Sequence, residues 1–414
     1  MEAGSIPIQE SGTLLKILFI HEVSYRKKVI FEMHEFPELL ALRGHEISFL
    51  EFDEGRKFWK KPNGPRFEKV KARVHGDAEI NIYRPFQFGI PGLDRLVATL
   101  TVLPVLRKLF KEKNFDVVVL YAVPTYGLQT LWLGRRFKLP VLFRALDVSH
   151  KIRSSLLSQV IKWVEKRIYN QTEFLSANNP AMADYCVKLG SRTKTSKVHF
   201  PPLDLSHFRN QGRDQGLRRS LGFKDEERVL VYMGSFFYFS GLVNALEEFA
   251  QVSKLSPNLK FLLIGGGEQD SELRQKVAHL GLSEKVVFTG FISYLDLPRY
   301  LKIADVAVNT LEPTLVANVA FPNKVLQYMA AGLPVVSTRL DGLEQTFGDR
   351  AGITWASDSK DVLQSASKLS QLTESELGKI SELQLGAVSE IFGVEAAVDK
   401  FEESLTALSA GGSK

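Results

Sequence analysis

The sequence predicts an α/β protein made of two Rossmann-like, doubly wound domains. Short apolar runs typical of buried parallel strands alternate with amphipathic helical segments, and this alternation begins again about halfway along the chain. The length supports the same prediction, because 414 residues exceed the usual size of one domain. Two such domains are expected to face a central cleft.

The first half opens with an apolar strand at residues 14–20, a loop, and an amphipathic helix at 30–42 that ends at Arg43-Gly44. A strand, a helix and a second strand in this order are typical of the start of a doubly wound domain. The same patterns predict further strands at 46–52, 116–121, 139–144 and 174–177, and helices at 92–113, up to about 169, and at 180–189. Residues 198–204 are expected to close the first domain.

Residues 53–80 interrupt this order with a basic, irregular segment. Phe58 and Trp59 lie there among lysines and arginines. Bulky apolar groups among cations suit a membrane surface that carries anionic lipid. A solvated hairpin with a partly packed tryptophan is the alternative interpretation.

The second half repeats the pattern after a segment rich in Gly, Arg and Asp at 209–216. We therefore predict one domain over 1–208, a second over 209–390, and a helical tail over 391–414 that packs back on the first domain. The second domain and tail contain predicted strands at 228–233, 260–264, 286–288, 306–308 and 334–336, and helices up to about 253, at 297–302, 322–332 and 394–410.

The composition indicates a globular protein of a reducing compartment. Apolar residues make up 44% and charged residues 24% of the chain, both ordinary values. The single cysteine, Cys186, precludes an internal disulfide and is expected in the core. Because the apolar runs are too short to span a bilayer and no signal-peptide pattern is visible, we expect a cytoplasmic protein, peripheral at the membrane.

The net charge of +6 is unevenly distributed. Residues 1–205 hold 32 Lys and Arg against 21 Asp and Glu, whereas the remainder holds 21 against 26. A basic first half suits an anionic membrane surface, and solvated helix faces are the alternative. No nucleic-acid-binding motif accompanies this charge, so a nucleic-acid partner is not expected.

The helix at 322–332 is the strongest candidate for a binding element. Pro322 stands in its first turn, where a missing N–H costs nothing, and Gly332 stands where a helix ends with positive φ. The unpaired N–H groups at the start of the helix, together with Lys324, predict a phosphate site.

A series of short motifs in the second half is similar in order and spacing to that of the family 4 retaining glycosyltransferases, which have the GT-B fold. The resemblance covers roughly residues 198–355, and the branch of the family with Pro-Asn-Lys at the helix start is the better match. The motifs are Asp204 to Phe208, Met233-Gly234-Ser235, Ser240-Gly241, Leu263 to Gly267, Val287 to Phe291, Leu297 to Leu301, Ala304-Asp305-Val306, Phe321 to Lys324 and Tyr328 to Val336.

The resemblance implies that a sugar is transferred with retention from a UDP- or GDP-linked donor, without a cofactor or a metal. The diphosphate would meet Asn323, Lys324 and Gly234, the base would lie near Gly290 and Phe291, and the ribose near Gln327. The implied donor-binding residues are Gly234, Ser235, Ser240, Gly265, Gly290, Phe291, Phe321, Asn323, Lys324 and Gln327. The first domain would hold the acceptor, a saccharide or a glycolipid.

Four positions depart from the pattern of the family. Ser235 and Ser240 stand where Arg and Lys are usual, and Val319 and Gln327 stand where paired glutamates are usual. Gln327 still donates and accepts hydrogen bonds, whereas Val319 binds nothing polar. These departures leave open weak activity, another donor geometry, or a non-catalytic nucleotide-sugar-binding relative. Another GT-B enzyme, such as a nucleotide-sugar 2-epimerase, is a separate alternative.

Asp147 and His150 follow the strand at 139–144, where doubly wound sheets bind ligands. They are the candidate catalytic residues, in contact with the sugar or the acceptor hydroxyl, and capping of a helix by Asp147 is the alternative. In a retaining enzyme of this kind the leaving diphosphate can itself act as the base, so neither residue has to. Ser24, Arg26 and Lys27 are candidates for the acceptor or phosphate side.

Overall fold

The structure is a computed structural model that describes residues 12–53, 66–76, 78–87, 93–121, 123–151, 157–193, 195–209 and 212–412. The chain divides into two compact units: unit 1 is residues 1–202 with 395–414, and unit 2 is residues 203–394. The first boundary falls at 202, where the sequence suggested 208, and the chain returns to unit 1 at 395, where it suggested 391.

In the described part of unit 1, eight strands form one sheet flanked by helices. The strands are β1 (Lys16–Ile20), β2 (Glu46–Leu50), β3 (Arg66–Lys71), β4 (Glu79–Arg84), β5 (Val117–Leu120), β6 (Val141–Ala145), β7 (Phe174–Ala177) and β8 (Thr195–Val198). Their order is β3-β4-β2-β1-β5-β6-β7-β8. The helices are α1 (Glu32–Leu42), α2 (Leu93–Glu112), α3 (Gly127–Phe137), α4 (Ser158–Gln171) and α5 (Pro180–Leu189).

The described part of unit 2 contains a six-stranded sheet in which every pairing is parallel. The strands are β9 (Arg228–Ser235), β10 (Leu259–Gly266), β11 (Val286–Gly290), β12 (Val306–Asn309), β13 (Val335–Thr338) and β14 (Thr354–Ala356). The helices are α6 (Leu205–Arg209), α7 (Gln215–Ser220), α8 (Leu242–Leu255), α9 (Asp270–His279), α10 (Leu297–Lys302), α11 (Leu315–Val319), α12 (Asn323–Ala330), α13 (Asp341–Phe347), α14 (Ser359–Leu369) and α15 (Glu374–Phe392). The strand order is β11-β10-β9-β12-β13-β14.

The last helix, α16 (Val394–Gly412), packs on unit 1. The ring of Phe401 lies 4.3 Å from that of Phe36, centroid to centroid. Glu402 accepts hydrogen bonds from Arg43 Nη1 at 2.6 Å and from His45 at 2.9 Å. Apolar and charged contacts together attach the chain's end to the face of α1.

The basic segment predicted as irregular contains an antiparallel hairpin, β3 with β4. Residues 54–65, which include Phe58 and Trp59, lie outside the described residues. The segment at 198–204, which was expected to close the first domain, begins with the last residue of β8, Val198. Pro201 and Pro202 have no N–H with which to extend the ladder. No helix in the described ranges is long and apolar enough to cross a bilayer.

The carboxyl ends of the strands carry the residues that matter below. In unit 1, His21 follows β1, Tyr121 follows β5, and Asp147 lies two residues after β6. In unit 2, Gly234 and Gly265 lie in the last residues of β9 and β10. Each sheet therefore presents one edge at which a ligand of a doubly wound fold would bind.

Candidate functional site

Two glycines stand opposite each other at the ends of β9 and β10. Gly234 and Gly265 are paired in register, with φ of 139° and 128°. A Cβ atom on Gly265 would lie 2.0 Å from the carbonyl oxygen of Gly234. Since only glycine tolerates both this φ and this contact, the sequence at these strand ends leaves bare backbone where a ligand can approach.

Lys324 lies beside this glycine turn, in the first turn of α12. Its Nζ is 3.9 Å from the ring centroid of Tyr232, and a Cβ on Gly234 would be 3.0 Å from it. No side chain caps the start of the helix at Pro322. The hydroxyl of Tyr328 accepts a 2.6 Å hydrogen bond from the backbone N–H of Met233, which fixes α12 against the end of β9.

The ammonium of Lys324 has no carboxylate partner among the described residues, and its one favourable contact of note is the face of Tyr232. The side chain is half-buried, and burial lowers the pKa of Lys324 from 10.5 to about 7. A cation kept from water without a counter-charge is destabilised, and an arriving anion would remove that cost. Lys324 and the uncapped helix start thus place two sources of positive potential side by side.

An exposed aromatic ring borders the same glycines. Phe291 is 69% exposed, although its ring lies 3.1 Å from the Cβ position of Gly266. Gly290, which precedes it, has a φ of 73°. A flat ring that faces solvent beside bare backbone is a surface on which a planar base can stack.

In unit 1, Asp147 follows β6 and its side chain reaches solvent. Its pKa is raised from 3.8 to about 6, first by the desolvation that the surrounding protein imposes and then by the charge of Glu32, which Lys28 partly offsets. Glu32 itself accepts two 2.8 Å hydrogen bonds from the buried guanidinium of Arg144. Asp147 is thus an accessible carboxyl whose proton equilibrium lies near neutrality.

His150 is held differently from Asp147. It is buried in a short turn, and its Nδ1 lies 2.7 Å from Glu165 Oε2. Glu165 also accepts hydrogen bonds from Ser149 N–H at 3.2 Å and from the Tyr169 hydroxyl at 3.2 Å. This network makes His150 part of the support of the turn that follows Asp147.

The loop after β1 carries the predicted phosphate-side residues. Arg26 pairs with Glu68 at 2.8 Å, and Lys27 with Asp53. The loop backbone is fixed by Arg73, whose Nη1 donates to carbonyl oxygens of this loop at 2.8 and 2.7 Å. Both predicted cations are thus already paired with carboxylates of unit 1. Ser24 is buried, and its hydroxyl has no hydrogen-bond partner among the described residues.

Two family models match the chain. The one described as "Glycosyl transferases group 1" covers residues 214–385, and the one described as "Glycosyl transferase 4-like domain" covers residues 33–202. The two matches lie on different units and together take in most of the sequence.

The chain belongs to the group 1, or family 4, glycosyltransferases. The predicted glycosyltransferase function and the GT-B fold class are confirmed.

Relatives of known name are distant. N-acetyl-alpha-D-glucosaminyl L-malate synthase of Bacillus anthracis is 23% identical over 81% of this chain and 82% of its own length. Alpha-monoglucosyldiacylglycerol synthase of Streptococcus pneumoniae is 22% identical over 55% of this chain, and the match spans only 52% of that enzyme.

Solved structures show the same fold. Anabaena HepE in complex with UDP and glucose superposes with a TM-score of 0.73 at 18% identity, over 95% of this chain and all of that one. Sucrose-phosphate synthase of Thermosynechococcus elongatus superposes with a TM-score of 0.78 at 17% identity, over 96% of this chain and all of that one.

The predicted donor-binding residues of this glycosyltransferase do not all lie in one place. Gly234, Gly265 and Lys324 come together at the strand ends, as described above. Ser240 is fully buried, and its carbonyl oxygen accepts a 2.6 Å hydrogen bond from Thr310. A part for Ser240 in donor binding stays a prediction that its burial does not favour.

Phe321 is likewise occupied within unit 2. It is buried, and its ring stacks on Phe392 with centroids 5.4 Å apart, while Phe347 packs beside both. Asn323 and Gln327 are half-buried on α12, and Ser235 is exposed at the end of β9. No group of three or more His, Cys, Asp or Glu in the described ranges is arranged to hold a metal ion.

The residues that support the sites were not predicted from the sequence. Glu165 and Glu38 are buried acids, and Glu38 accepts hydrogen bonds from three successive backbone N–H groups, those of residues 73–75. In the sequence, each is visible only as an acidic residue on the inner face of a helix. That position becomes informative once the hydrogen-bond partners of the carboxylate are known. Tyr232 was read simply as a strand residue.

Proposed function

We propose that this glycosyltransferase uses a UDP-linked hexose, and that Lys324 and the start of α12 bind its diphosphate. The observation that carries the proposal is the half-buried, unpaired ammonium of Lys324 beside the bare backbone of Gly234 and Gly265. A charge-assisted hydrogen bond to phosphate contributes roughly 1.5–3 kcal/mol. The Pro-Asn-Lys helix start thereby supplies the positive charge that Ser235 and Ser240 lack.

The remainder of the donor would extend along the carboxyl edge of the unit 2 sheet. The base would stack on the exposed ring of Phe291 next to Gly290, and the ribose hydroxyls would meet Gln327. UDP is favoured over GDP because the HepE structure that shares this fold is in complex with UDP and glucose.

The chemistry follows from these placements. The bond between the sugar C1 and the phosphate oxygen breaks, and a bond from the acceptor oxygen to C1 forms on the same face, which retains configuration. The acceptor proton passes to the leaving diphosphate, whose charge Lys324 and the helix N–H groups offset in place of a metal. Asp147 would accept a hydrogen bond from the sugar or the acceptor, while His150 and Glu165 hold the turn behind it.

Ligand-induced stabilisation tests the donor assignment. UDP, GDP, ADP, UDP-glucose and GDP-mannose are added to the protein, and a ligand at a hundred times its Kd should stabilise by about 2.7 kcal/mol. Lys324→Ala should abolish the shift given by UDP-glucose. Lys302→Ala is the matched control, because Lys302 is also half-buried in unit 2 and also has a pKa lowered by burial. An unchanged shift in Lys324→Ala would refute the diphosphate site.

The acceptor is proposed to be a hydroxyl-bearing lipid or glycolipid at a membrane surface. The streptococcal relative is named for a glucosyldiacylglycerol product, at 22% identity. On α4, Val160 and Trp163 are more than half exposed, and the guanidinium of Arg167 lies 5.0 Å from the Trp163 ring centroid. Apolar side chains flanked by cations on one helix suit an anionic interface.

Vesicle binding tests this part separately. The protein should co-sediment with vesicles of phosphatidylglycerol and phosphatidylcholine, and less with pure phosphatidylcholine. Val160→Ser with Trp163→Ser should weaken binding several-fold, whereas the control Leu255→Ser, at an exposed position of unit 2, should not. Equal binding by all three proteins would rule out α4 as the membrane contact. In the transfer assay itself, formation of an epimerised sugar from the donor without any acceptor would identify an epimerase instead.

A further inference from the structure

His21 occupies a central place in unit 1. It is the first residue after β1, its N–H donates to the carbonyl oxygen of Leu50 at 3.0 Å, and its ring stacks on Tyr121 with centroids 5.2 Å apart and planes at 16°. Phe31 meets the same ring edge-on, with centroids 6.0 Å apart. Two aromatic neighbours and the sheet therefore fix the orientation of this imidazole.

The ring nitrogens of His21 have no hydrogen-bond partner among the described residues. Nδ1 is buried, whereas the side chain as a whole is half-buried, so a ligand would have to approach Nε2, on the other side of the ring. Other histidines in the described ranges use a ring nitrogen within the protein, namely His34, His45, His150, His199 and His207. Since buried polar groups are normally satisfied, a group bound at His21 would account for its unengaged ring nitrogens.

The imidazole of His21 is uncharged at working pH. Burial lowers its pKa to about 3, and the nearby charges of Lys28, His34 and Arg95 act in the same direction. A neutral imidazole accepts a hydrogen bond at one nitrogen and donates at the other, which suits an alcohol hydroxyl. It is too weak a base to remove the proton itself.

The position of His21 connects it with the candidate catalytic carboxyl. β1, β5 and β6 are neighbours in the sheet, so His21, Tyr121 and Asp147 follow three adjacent strands at one edge. The N–H of Tyr121 donates to the carbonyl oxygen of Ile20 at 2.9 Å, which keeps the two rings in register. Lys28 acts electrostatically on both His21 and Asp147.

The geometry points to His21 as an acceptor-binding residue that hydrogen-bonds, through Nε2, one hydroxyl of a polyhydroxylated acceptor such as a sugar or a glycerol unit. This inference rests on the proposed function, because it names the group that receives the sugar. In this role His21 orients the acceptor hydroxyl. The proton of the reacting hydroxyl is still transferred to the leaving diphosphate.

The kinetic test compares three variants. His21→Phe keeps the ring stack and removes both nitrogens, His21→Gln restores a polar group, and His279→Phe on exposed α9 is the control. With UDP-glucose as donor, we expect His21→Phe to raise the acceptor KM about 3–10-fold, the loss of one neutral hydrogen bond. His21→Gln should recover part of this loss, and UDP-glucose hydrolysis without acceptor should change less than about 2-fold. An unchanged acceptor KM, or equal losses in hydrolysis and transfer, would overturn the inference.

A binding measurement separates this inference from the proposed function. In protein labelled with ¹⁵N-histidine, the His21 signals are those that disappear in His21→Phe. They should shift when methyl α-D-glucopyranoside or glycerol is added with UDP-glucose, and should not titrate between pH 5 and 8. Absence of UDP-glucose turnover in the native protein would overturn the proposed function, whereas His21 signals that titrate, or that respond to neither polyol, would overturn the role of His21.

Discussion

Donor binding should depend on pH through Lys324. In the free protein burial lowers the pKa of this lysine to about 7, so the ammonium loses its proton as the pH rises above neutrality. A bound diphosphate supplies the missing counter-charge and restores the pKa toward the ordinary value of 10.5. Donor binding above pH 7 must therefore take up a proton, and affinity must fall as the pH rises.

The size of the effect follows from the same pKa. The apparent Kd for UDP-glucose should be constant below about pH 6 and should rise about tenfold per pH unit above 7, the equivalent of about 1.4 kcal/mol for each unit. UDP-glucose is the suitable ligand because its diphosphate does not titrate near neutrality, unlike that of free UDP. Proton uptake should be near one half at pH 7 and near one at pH 8.

Calorimetry in two buffers of different ionisation enthalpy measures both quantities. Lys324→Arg is the informative variant, because arginine stays charged over the whole pH range and should remove the dependence of Kd on pH. This expectation holds even if the bulkier guanidinium beside Gly234 changes the affinity itself. The control Lys302→Ala should keep the slope. A Kd that stays flat from pH 6 to 9 with no proton uptake would refute the assignment of Lys324 as the diphosphate ligand.

Three further predictions follow from the sites. In the native protein the transfer rate should fall as the pH drops through about 6, because the Asp147 carboxyl takes up a proton at its raised pKa. Asp147→Asn should abolish this fall, and pH–rate profiles of both proteins check it. Gly265→Ala should weaken donor binding at least tenfold, because its Cβ would lie 2.0 Å from a backbone oxygen, whereas Gly378→Ala, with nothing within 4 Å of its Cβ position, should leave binding unchanged. Glu165→Gln should lower the free energy of unfolding by roughly 1–3 kcal/mol in chemical denaturation, because the hydrogen bonds of Ser149 and His150 lose a charged acceptor. It should also lower kcat and leave the Kd for the nucleotide sugar unaltered.

Much of the fold was predictable because its signals are local. The strand–helix alternation predicted the two sheets, and α5 and α10 begin and end at the predicted residues, 180–189 and 297–302. The start of α12 was equally visible, since Pro322 and Gly332 specify its ends within ten residues of sequence. An element whose ends and periodicity are specified within its own residues can be predicted without knowing what it packs against.

The supporting residues could not be predicted, because their partners are remote in sequence. Glu32 is 112 residues from Arg144, and each is inconspicuous until the other is located. The two histidines His150 and His21 were misjudged from the sequence for the same reason. The sequence singled out His150, which Glu165 engages, and passed over His21, whose ring nitrogens no described residue engages. Only the hydrogen-bond inventory of the folded chain separates a histidine that supports a turn from one that is available to a ligand.

The lack of a carboxylate partner among the described residues makes the half-buried ammonium of Lys324 costly to the fold of unit 2. Lys324 destabilises the unliganded fold by up to about 5 kcal/mol below pH 7, since its pKa falls from 10.5 to about 7 on folding. Between these two values the unfolded chain holds more protons, so stability should rise with pH, and Lys324→Met should remove both the cost and the slope. Contact with the Tyr232 ring recovers only about 0.5–2 kcal/mol. A residue that costs this much without a ligand has a physical reason to be there if an anion removes the cost, and the uncapped helix start beside it offers backbone N–H groups to the same anion.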